Sequence, residues 1–342
     1  MKHQKYSAIA TLAVLFALDC SARAAIKASN SNALNDSASW VAGTFPDASQ
    51  IALYNNTITT GIQNQLGASA TWLGISVTDP AGFTNILPTA GATLTLGAAG
   101  INLAGSSNSM NLLIPVVLAA SQTWNAAAGA TLIDSGAALS LGSNTLTLSG
   151  AGSISLSGLS GIGNLNIFGT AAPLRVDLGS STGYSGTISL SQGTLAASTS
   201  TSLPSTSVLN LSGGVVNLQG QSTTIKSLTG SGGIINNTTG ALAVLTVGTT
   251  SGFRSNAQIN GNISVVAGNL SLRNTASNYT GTTTINTGGF LGIWSLANAG
   301  LPSSIGAAGT SPGNLSLGGT LEYDGDNPAS TNRLFFVFGA GT

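Results

Sequence analysis

The chain has 342 residues, with 46 glycines, nine Lys or Arg, nine Asp or Glu and a formal net charge of zero. Its single histidine, His3, and its single cysteine, Cys20, both precede Ala25. The rest of the chain therefore excludes zinc sites with His or Cys ligands, Ser-His-Asp triads and thiolate nucleophiles. Asp19 stands before Cys20, where a lipidation site requires a small residue, which disfavours a lipoprotein. Lys and Arg are not clustered, which argues against nucleic acid as a partner because phosphate neutralisation needs such clusters.

Residues 1–24 have the pattern of a signal peptide. Two lysines within the first five positions precede an apolar run, residues 8–18, that is too short to span a bilayer. An A-x-A pattern ends at Ala24 and predicts cleavage before Ala25. We therefore expect the mature chain to be exported, to the cell surface or to the extracellular space.

Short stretches of alternating apolar and polar residues fill the chain after residue 90. Apolar residues at every second position, with Thr, Ser or Asn between them, are typical of a strand with one buried face. The stretches span only about three to five residues, too short for a sandwich strand of about six. In a β-helix such strands pair with the coils above and below at about 4.8 Å, so their backbone groups are satisfied. Examples are Leu94 and Leu96, Leu139 and Leu141, Leu165 and Ile167, and Leu315 and Leu317.

The sequence thus predicts an all-β solenoid in two parts. Residues 25–90 are predicted to form an amino-terminal cap and the first coils, and residues 91–342 the solenoid repeats. About a dozen coils at strand spacing would make a rod about 60 Å long. The longest later apolar run, residues 112–120, is interrupted by Pro115 and predicts two buried strands, so we expect no membrane span.

A longer repeat of about a hundred residues links two parts of the chain. Residues 184–193 and 279–288 keep a tyrosine and two glycines at the same spacing, and a Leu-Pro pair and a Gly-Gly pair follow each segment. Copied units of this kind are typical of repeat architectures. The equivalent positions are Tyr184 and Tyr279, Gly186 and Gly281, Gly193 and Gly288, Leu203 and Leu301, and Gly213 and Gly318.

Three segments carry a family pattern. Residues 269–288 contain a strand, Tyr-Thr-Gly, a second strand and a glycine; residues 121–150 contain Ser-Gln-Thr-Trp and a later alternating strand; residues 40–54 contain Trp, a Phe-Pro-Asp turn and Ala-Leu-Tyr. On these motifs the chain resembles passenger proteins built from autotransporter-associated β-strand repeats, over most of residues 38–342. The resemblance implies a right-handed, single-stranded parallel β-helix (β-solenoid) with a pectin-lyase-like shaft, at the outer membrane or released.

The sequence stops at Thr342, where similar proteins continue into another strand. No translocator barrel with its ten-residue alternating strands and no anchoring helix follows. We therefore expect the chain to be a fragment or a truncated reading frame, with self-association through the open solenoid end as one expected interaction.

Three carboxylates lie within five residues at Glu322, Asp324 and Asp326, and hard oxygen ligands of this kind can hold calcium. A calcium loop would continue with ligands at alternate positions and a further carboxylate, whereas Pro328 and Ala329 follow. A solvated turn is the favoured interpretation, and a weak calcium site is the alternative. We expect no cofactor.

A polysaccharide-degrading β-helix enzyme is the catalytic alternative, because such enzymes use clustered Asp or Arg on one face of the shaft. Arg175 and Asp177 are two positions apart and so share an outward face, where a surface ion pair explains them. The nearest further acid, Asp134, is about forty residues away, so we predict that the chain is not an enzyme.

The four tryptophans are scattered and are predicted to pack in the core or in a cap, although exposed aromatic rows could stack on sugar rings. Tyr184 and Tyr279 are predicted to be equivalent packing residues of the repeat. Asn236 and Asn237 are predicted to form an internal side-chain ladder. The tryptophans are Trp40, Trp72, Trp124 and Trp294.

The function expected from these patterns is that of an exported surface or secreted scaffold with an adhesin-like role. A stiff, weakly charged shaft lined by Thr, Ser and Asn suits many weak contacts acting together, with surface glycans or other cell-surface molecules as partners. A glycan-binding or polysaccharide-degrading β-helix protein is the alternative.

Overall fold

The computed structural model describes residues 24–103, 105, 109–169, 174–248 and 254–339. Residues 1–23 of the predicted signal peptide, with His3 and Cys20, lie outside these ranges. Ala24 is the first residue of a strand that pairs with Ile51, so the predicted cleavage point falls inside this strand. The fold is all-β, with two short 3-10 helices, Ser37–Ser39 and Pro312–Asn314.

The strands are short, and most span two to five residues. In chain order they are β1 Ala24–Ile26, β2 Ile51–Tyr54, β3 Ile62–Gln65, β4 Ala70–Val77, β5 Thr84–Leu87, β6 Leu94–Leu103, β7 Ser109–Leu112, β8 Val116–Leu118, β9 Gln122–Ala126, β10 Thr131–Asp134, β11 Leu139–Ser140, β12 Leu146–Gly150, β13 Ser153–Leu156, β14 Leu159–Gly161, β15 Leu165–Gly169, β16 Arg175–Leu178, β17 Gly183–Tyr184, β18 Thr187–Gln192, β19 Thr194–Ala197, β20 Val208–Leu211, β21 Val215–Asn217, β22 Thr223–Ile225, β23 Ser227–Thr229, β24 Ile234–Asn236, β25 Ala243–Val247, β26 Arg254–Ser255, β27 Gln258–Ile259, β28 Ile263–Leu272, β29 Thr283–Ile293, β30 Leu315–Leu317, β31 Thr320–Tyr323 and β32 Phe336–Val337.

The strands form three parallel sheets of 14, 10 and 8 strands. Neighbours in a sheet are not neighbours in sequence: the ten-stranded sheet has the order β27-β24-β21-β19-β16-β13-β10-β7-β5-β3. The chain therefore contributes a strand to one sheet after another in each coil, and successive coils stack into a solenoid of about twelve turns. This arrangement confirms the predicted all-β parallel solenoid. β4 pairs with β6 across residue 90, and the predicted division of the chain there stays a prediction.

One ladder of residues runs through all ten strands of the ten-stranded sheet. Every member except Thr84 is apolar, and each is buried, as the period-two pattern requires. Their stacking explains why such short strands suffice, since every strand between the edge strands β3 and β27 is hydrogen-bonded on both sides by adjacent coils. The ladder is Ile62, Thr84, Met110, Leu132, Ile154, Val176, Leu195, Val216, Ile235 and Ile259.

β4 and β6 are longer because each continues from one face of the shaft to the next, and the two strands stay paired with each other around this corner. Their pairing shifts register between Trp72 and Gly74, and Gly74 is then opposite Gly100. Gly100 has a φ of +62°, and a Cβ there would lie 2.2 Å from the Thr123 carbonyl oxygen of the next coil. Only glycine fits this corner, both for its backbone conformation and for the close approach of the adjacent coil.

The predicted ladder of Asn236 and Asn237 is wrong. Asn237 is buried and its Nδ2 donates to the main-chain carbonyls of Ala241 (2.6 Å) and Asn262 (2.9 Å), so it bridges a turn and an adjacent coil. Stacked amides occur elsewhere, where Asn111 Nδ2 donates to Asn85 Oδ1 (2.7 Å) and Asn125 Nδ2 donates to Asn102 Oδ1 (3.1 Å).

Among the described residues, no helix has the length and apolar character needed to cross a membrane.

Candidate functional site

Arg273 and Trp294 follow two neighbouring strands at one corner of the shaft. β28 ends at Leu272 and β29 at Ile293, and these two residues are paired in register. The residues that follow them therefore lie at the same level on adjacent coils. The Arg273 guanidinium carbon lies 4.6 Å from the centroid of the Trp294 ring, which is a cation–π contact. Arg273 Nε is buried and makes no hydrogen bond within the described part of the chain.

Arg254 joins this corner through the parallel pair β26 and β28. It is opposite Ser271, so Arg254 and Arg273 are diagonal neighbours on adjacent strands, a relation with a spacing of about 7–8 Å. Arg254 is exposed and Arg273 is half-buried. A groove of about 380 Å³ lies between them and Trp294. We call it the Arg-Trp groove; its other lining residues are neutral and are Gly230, Ser231, Ser255 and Asn256.

Most other basic side chains of the described chain already have protein partners. Lys27 Nζ donates to two main-chain carbonyls at 2.8 and 3.0 Å, and the Arg333 guanidinium donates to three at 2.8 to 3.1 Å. Arg175 is paired with Asp177, in the one ion pair within 4.0 Å among the described residues. Lys226 is exposed and lies outside the Arg-Trp groove. The groove therefore holds two basic side chains side by side with no acidic side chain in its lining.

The predicted calcium residues lie in and after β31. Glu322 and Asp326 are exposed, and Asp324 is half-buried with its amide donating to the Ile293 carbonyl at 2.7 Å. Tyr323 Oη donates to the Asn327 carbonyl at 2.6 Å and closes the turn. No group of three His, Cys, Asp or Glu side chains in the described ranges is arranged to hold a metal ion. The geometry is that of a solvated turn, and the weak calcium site stays a prediction.

Arg175 and Asp177 lie on the outward face of β16, as their spacing indicated. Arg175 Nη2 is 2.5 Å from Asp177 Oδ1 and Arg175 Nε is 2.9 Å from Oδ2, so the contact is bidentate. Both side chains are in contact with solvent, at 47% and 28% exposure, so the pair contributes at most about 1 kcal/mol to stability. Each group serves as the partner of the other, which is the arrangement expected of a structural pair.

Asp134 is a buried carboxyl group that the sequence patterns did not assign to the core. It ends β10, and its inward side chain lies between Leu112 and Leu156 of the adjacent coils. Neither carboxyl oxygen has a hydrogen-bond partner among the described residues. Burial raises the pKa of Asp134 to about 8, so the group is protonated at neutral pH. The available signal was its spacing of two from Leu132, which places both on one face.

Lys27 is buried near the amino-terminal end of the shaft, where it forms an antiparallel bridge with Trp40. Burial lowers the pKa of Lys27 to about 8. Its Nζ also contacts Asn30 Oδ1 at 3.0 Å, and Asn64 Nδ2 donates to the Asn30 carbonyl at 2.9 Å. This network satisfies backbone carbonyls at the end of the shaft and is a structural cap.

Three of the four tryptophans pack in the core as predicted, and the fourth does not. Trp40, Trp72 and Trp124 are at most 2% exposed, and the rings of Trp40 and Trp72 meet edge to face at 5.9 Å. Trp294 is only half-buried and forms one side of the Arg-Trp groove. Each residue directly follows an apolar strand end, Leu-Ser-Leu before Arg273 and Leu-Gly-Ile before Trp294, but their common level is known only from the pairing of Leu272 with Ile293.

Tyr184 and Tyr279 occupy equivalent positions, as the repeat predicted. Both are fully buried. Tyr184 Oη donates to the Thr187 carbonyl at 2.9 Å, and Tyr279 Oη is 2.7 Å from Thr283 Oγ1. Each hydroxyl thus bonds to a residue three or four positions later, and both tyrosines are packing residues.

A second groove, of about 690 Å³, is lined mostly by Ser and Thr, together with Leu203, Pro204 and Val244. Thr224 and Thr246 lie opposite each other on β22 and β25, and Thr182, Thr201 and Thr206 come from neighbouring coils. No charged or aromatic residue lines it. It is a neutral surface of hydroxyl groups, unlike the Arg-Trp groove.

These features define a parallel β-solenoid with two polar grooves along its shaft. A stretch of 64 residues, 18% of this chain, is 48% identical to the adhesin BmaC autotransporter of Brucella suis biovar 1 (strain 1330). The stretch amounts to 2% of that protein, so the chain spans a small part of this relative. No protein-family model matches the sequence, and no solved structure matches it.

Proposed function

We propose that this chain is a passenger-like segment of an exported autotransporter-type protein, with a solenoid that acts as a surface scaffold and an adhesive face. The observation that carries the proposal is the ten-residue inward ladder of a parallel solenoid, found in a chain of which 64 residues are 48% identical to an autotransporter adhesin. The alternating pattern and the export pattern of residues 1–24 support the same assignment.

The mechanism is geometric. Each turn adds about 4.8 Å, so equivalent outward side chains on successive coils form rows with a fixed spacing. A row of hydroxyl groups such as that of Thr224 and Thr246 offers many weak contacts to an extended partner. Contacts held on one rigid rod add their binding energies with little further loss of entropy, which is how weak sites reach useful avidity.

Export is tested by inserting an epitope tag at the exposed turn of residues 326–329 and labelling intact cells of the native host with antibody. We expect labelling of intact cells, or of the medium if the chain is released. Deletion of residues 1–24 is the matched control and is expected to retain the tag inside the cell. Labelling only after lysis, with and without residues 1–24, would contradict the proposal.

We also propose that the chain has no catalytic role. Among the described residues, Asp134 faces inward without a hydrogen-bond partner, Arg175 and Asp177 face outward and bond to each other, and the groove of Arg254 and Arg273 has no carboxyl group in its lining. Glycoside hydrolysis needs a pair of carboxyl groups that flank the scissile bond of the bound chain. Binding to immobilised polysaccharides without release of reducing ends is the expected result, and release of reducing ends by the purified chain would show a degrading enzyme instead.

A further inference from the structure

The Arg-Trp groove concentrates positive charge on a surface that otherwise has very little. Arg254 and Arg273 are diagonal neighbours on adjacent strands, and like charges at such positions repel each other. Within the described ranges, no acidic side chain lines the groove, and the buried Arg273 Nε makes no hydrogen bond. Among the described residues neither Arg254 nor Arg273 is in an ion pair, and Asp324, one coil beyond Trp294, lies outside the groove lining.

The two arginines differ in how they are held. The Arg273 guanidinium lies over Trp294, 4.6 Å from the ring centroid, which restricts its motion before any ligand binds. Arg254 is exposed and can move towards a ligand. A guanidinium held in one position suits a planar, bidentate acceptor such as a carboxylate.

The remaining lining points to a hydroxylated ligand. Ser231 and Asn256 supply neutral hydrogen-bonding groups beside the arginines, and Trp294 supplies an aromatic surface. The groove volume, about 380 Å³, lies within the range of about 300–1,000 Å³ that is usual for small-ligand sites. Its place on the outside of a rod suits one unit of a polymer that continues beyond the groove.

We infer that Arg254, Arg273 and Trp294 form a binding site for a carboxylate-bearing saccharide unit of an acidic polysaccharide. Arg273 binds the carboxylate, Arg254 adds a second charged contact, and Trp294 positions Arg273 and contacts the sugar ring. The inference deepens the proposed adhesive function by naming the ligand class of one groove.

Isothermal titration calorimetry of the purified full chain with oligogalacturonate tests the site. We expect saturable binding that weakens as salt rises, because the contact is between charges near solvent. Methyl-esterified oligogalacturonate keeps the sugar but removes the charge, and it is expected to bind at least about tenfold more weakly. Equal affinity for the two saccharides, or for inorganic phosphate and oligogalacturonate, would overturn the assignment.

Variants separate the groove from general charge effects. Arg273→Gln is expected to weaken binding by at least about tenfold, whereas Lys226→Gln, which removes an exposed charge outside the groove, is expected to leave it unchanged. Arg273→Lys keeps the charge without the planar fork and should fall between Arg273→Gln and the unaltered chain, which keeps the test valid if Arg273→Gln fails to fold. Equal loss in Lys226→Gln and Arg273→Gln would overturn the site.

The double variant Arg254→Gln, Arg273→Gln distinguishes this inference from the proposed function. If it retains adhesion of intact cells to an acidic polysaccharide surface, the groove is not the site while the scaffold proposal stands. If the unaltered chain is not exported yet binds oligogalacturonate, the site stands and the proposed function fails.

Discussion

Asp134 is expected to make the shaft less stable as the pH rises from about 4 to about 8. Burial raises the pKa of this carboxyl group to about 8 in the folded chain, whereas an Asp in an unfolded chain has a pKa of about 3.9. Between these values the folded state binds more protons than the unfolded state, so the free energy of unfolding falls with rising pH. Below about pH 4 the group is protonated in both states and the effect disappears.

The size of the effect follows from the two pKa values. One pKa unit corresponds to about 1.36 kcal/mol, so the distance from about 3.9 to pH 7 amounts to about 4 kcal/mol. Asp134→Asn removes the ionisation and nearly keeps the shape. The variant is therefore expected to be more stable by up to about 4 kcal/mol at pH 7 and to differ little from the unaltered chain at pH 4.

The measurement is urea unfolding followed by circular dichroism at pH 4, 6 and 8. Solenoid turns can unfold in part, so hydrogen exchange of the β10 amides provides a local measure beside the global one. Asp177→Asn is the matched control, since it makes the same change at a half-buried position in contact with solvent and should shift stability by less than about 1 kcal/mol. Parallel pH profiles for Asp134→Asn and the unaltered chain would refute the reasoning.

Two further predictions use matched pairs of positions. Gly100→Ala is expected to lower the free energy of unfolding by at least about 2 kcal/mol, because φ is +62° and a Cβ would lie 2.2 Å from an atom of the adjacent coil. The control Gly240→Ala, with no atom within 4 Å of its Cβ, should change the free energy of unfolding by less than about 1 kcal/mol. Equal melting temperatures of the two variants would contradict this prediction. Tyr279→Phe should lower the free energy of unfolding by about 1 kcal/mol, because the hydrogen bond to Thr283 is lost. Tyr54→Phe removes a buried hydroxyl group that has no partner among the described residues, so it should leave the free energy of unfolding unchanged or raise it in the same denaturant assay.

The solenoid could be predicted from the sequence because the alternating pattern that defines each strand lies within a few consecutive residues. Leu132 and Ile154 each lie in a short alternating unit bounded by turn residues, and this pattern alone assigns strands with one buried face. Their pairing with each other follows once the units stack in order. The same spacing places the side chain of Asp134 on the buried face, two positions after Leu132.

The corner with Arg273 and Trp294 could not be predicted with the same ease. These residues are 21 positions apart, and nothing in either local segment shows that the two strands end at the same level. Coil length varies along the shaft: Ile154 follows Leu132 by 22 residues, whereas Leu195 follows Val176 by 19. The register must therefore be known before a contact between successive corners can be assigned, and periodicity gives only an average.

Because the shaft has few charged side chains, the way in which each of them is compensated can be followed individually. In a solenoid each outward position repeats at about 4.8 Å on the next coil, so an unbalanced charge acts on its neighbours along the rod. Arg175 avoids this through an acid two positions later in its own strand, and Arg333 through main-chain carbonyls. Neither Arg254 nor Arg273 has an acidic neighbour in its own strand or side-chain hydrogen bonds to carbonyls among the described residues. For stability alone, a neutral residue in place of one of them would be favoured. The carboxylate-bearing ligand proposed for the Arg-Trp groove would compensate both charges when it binds.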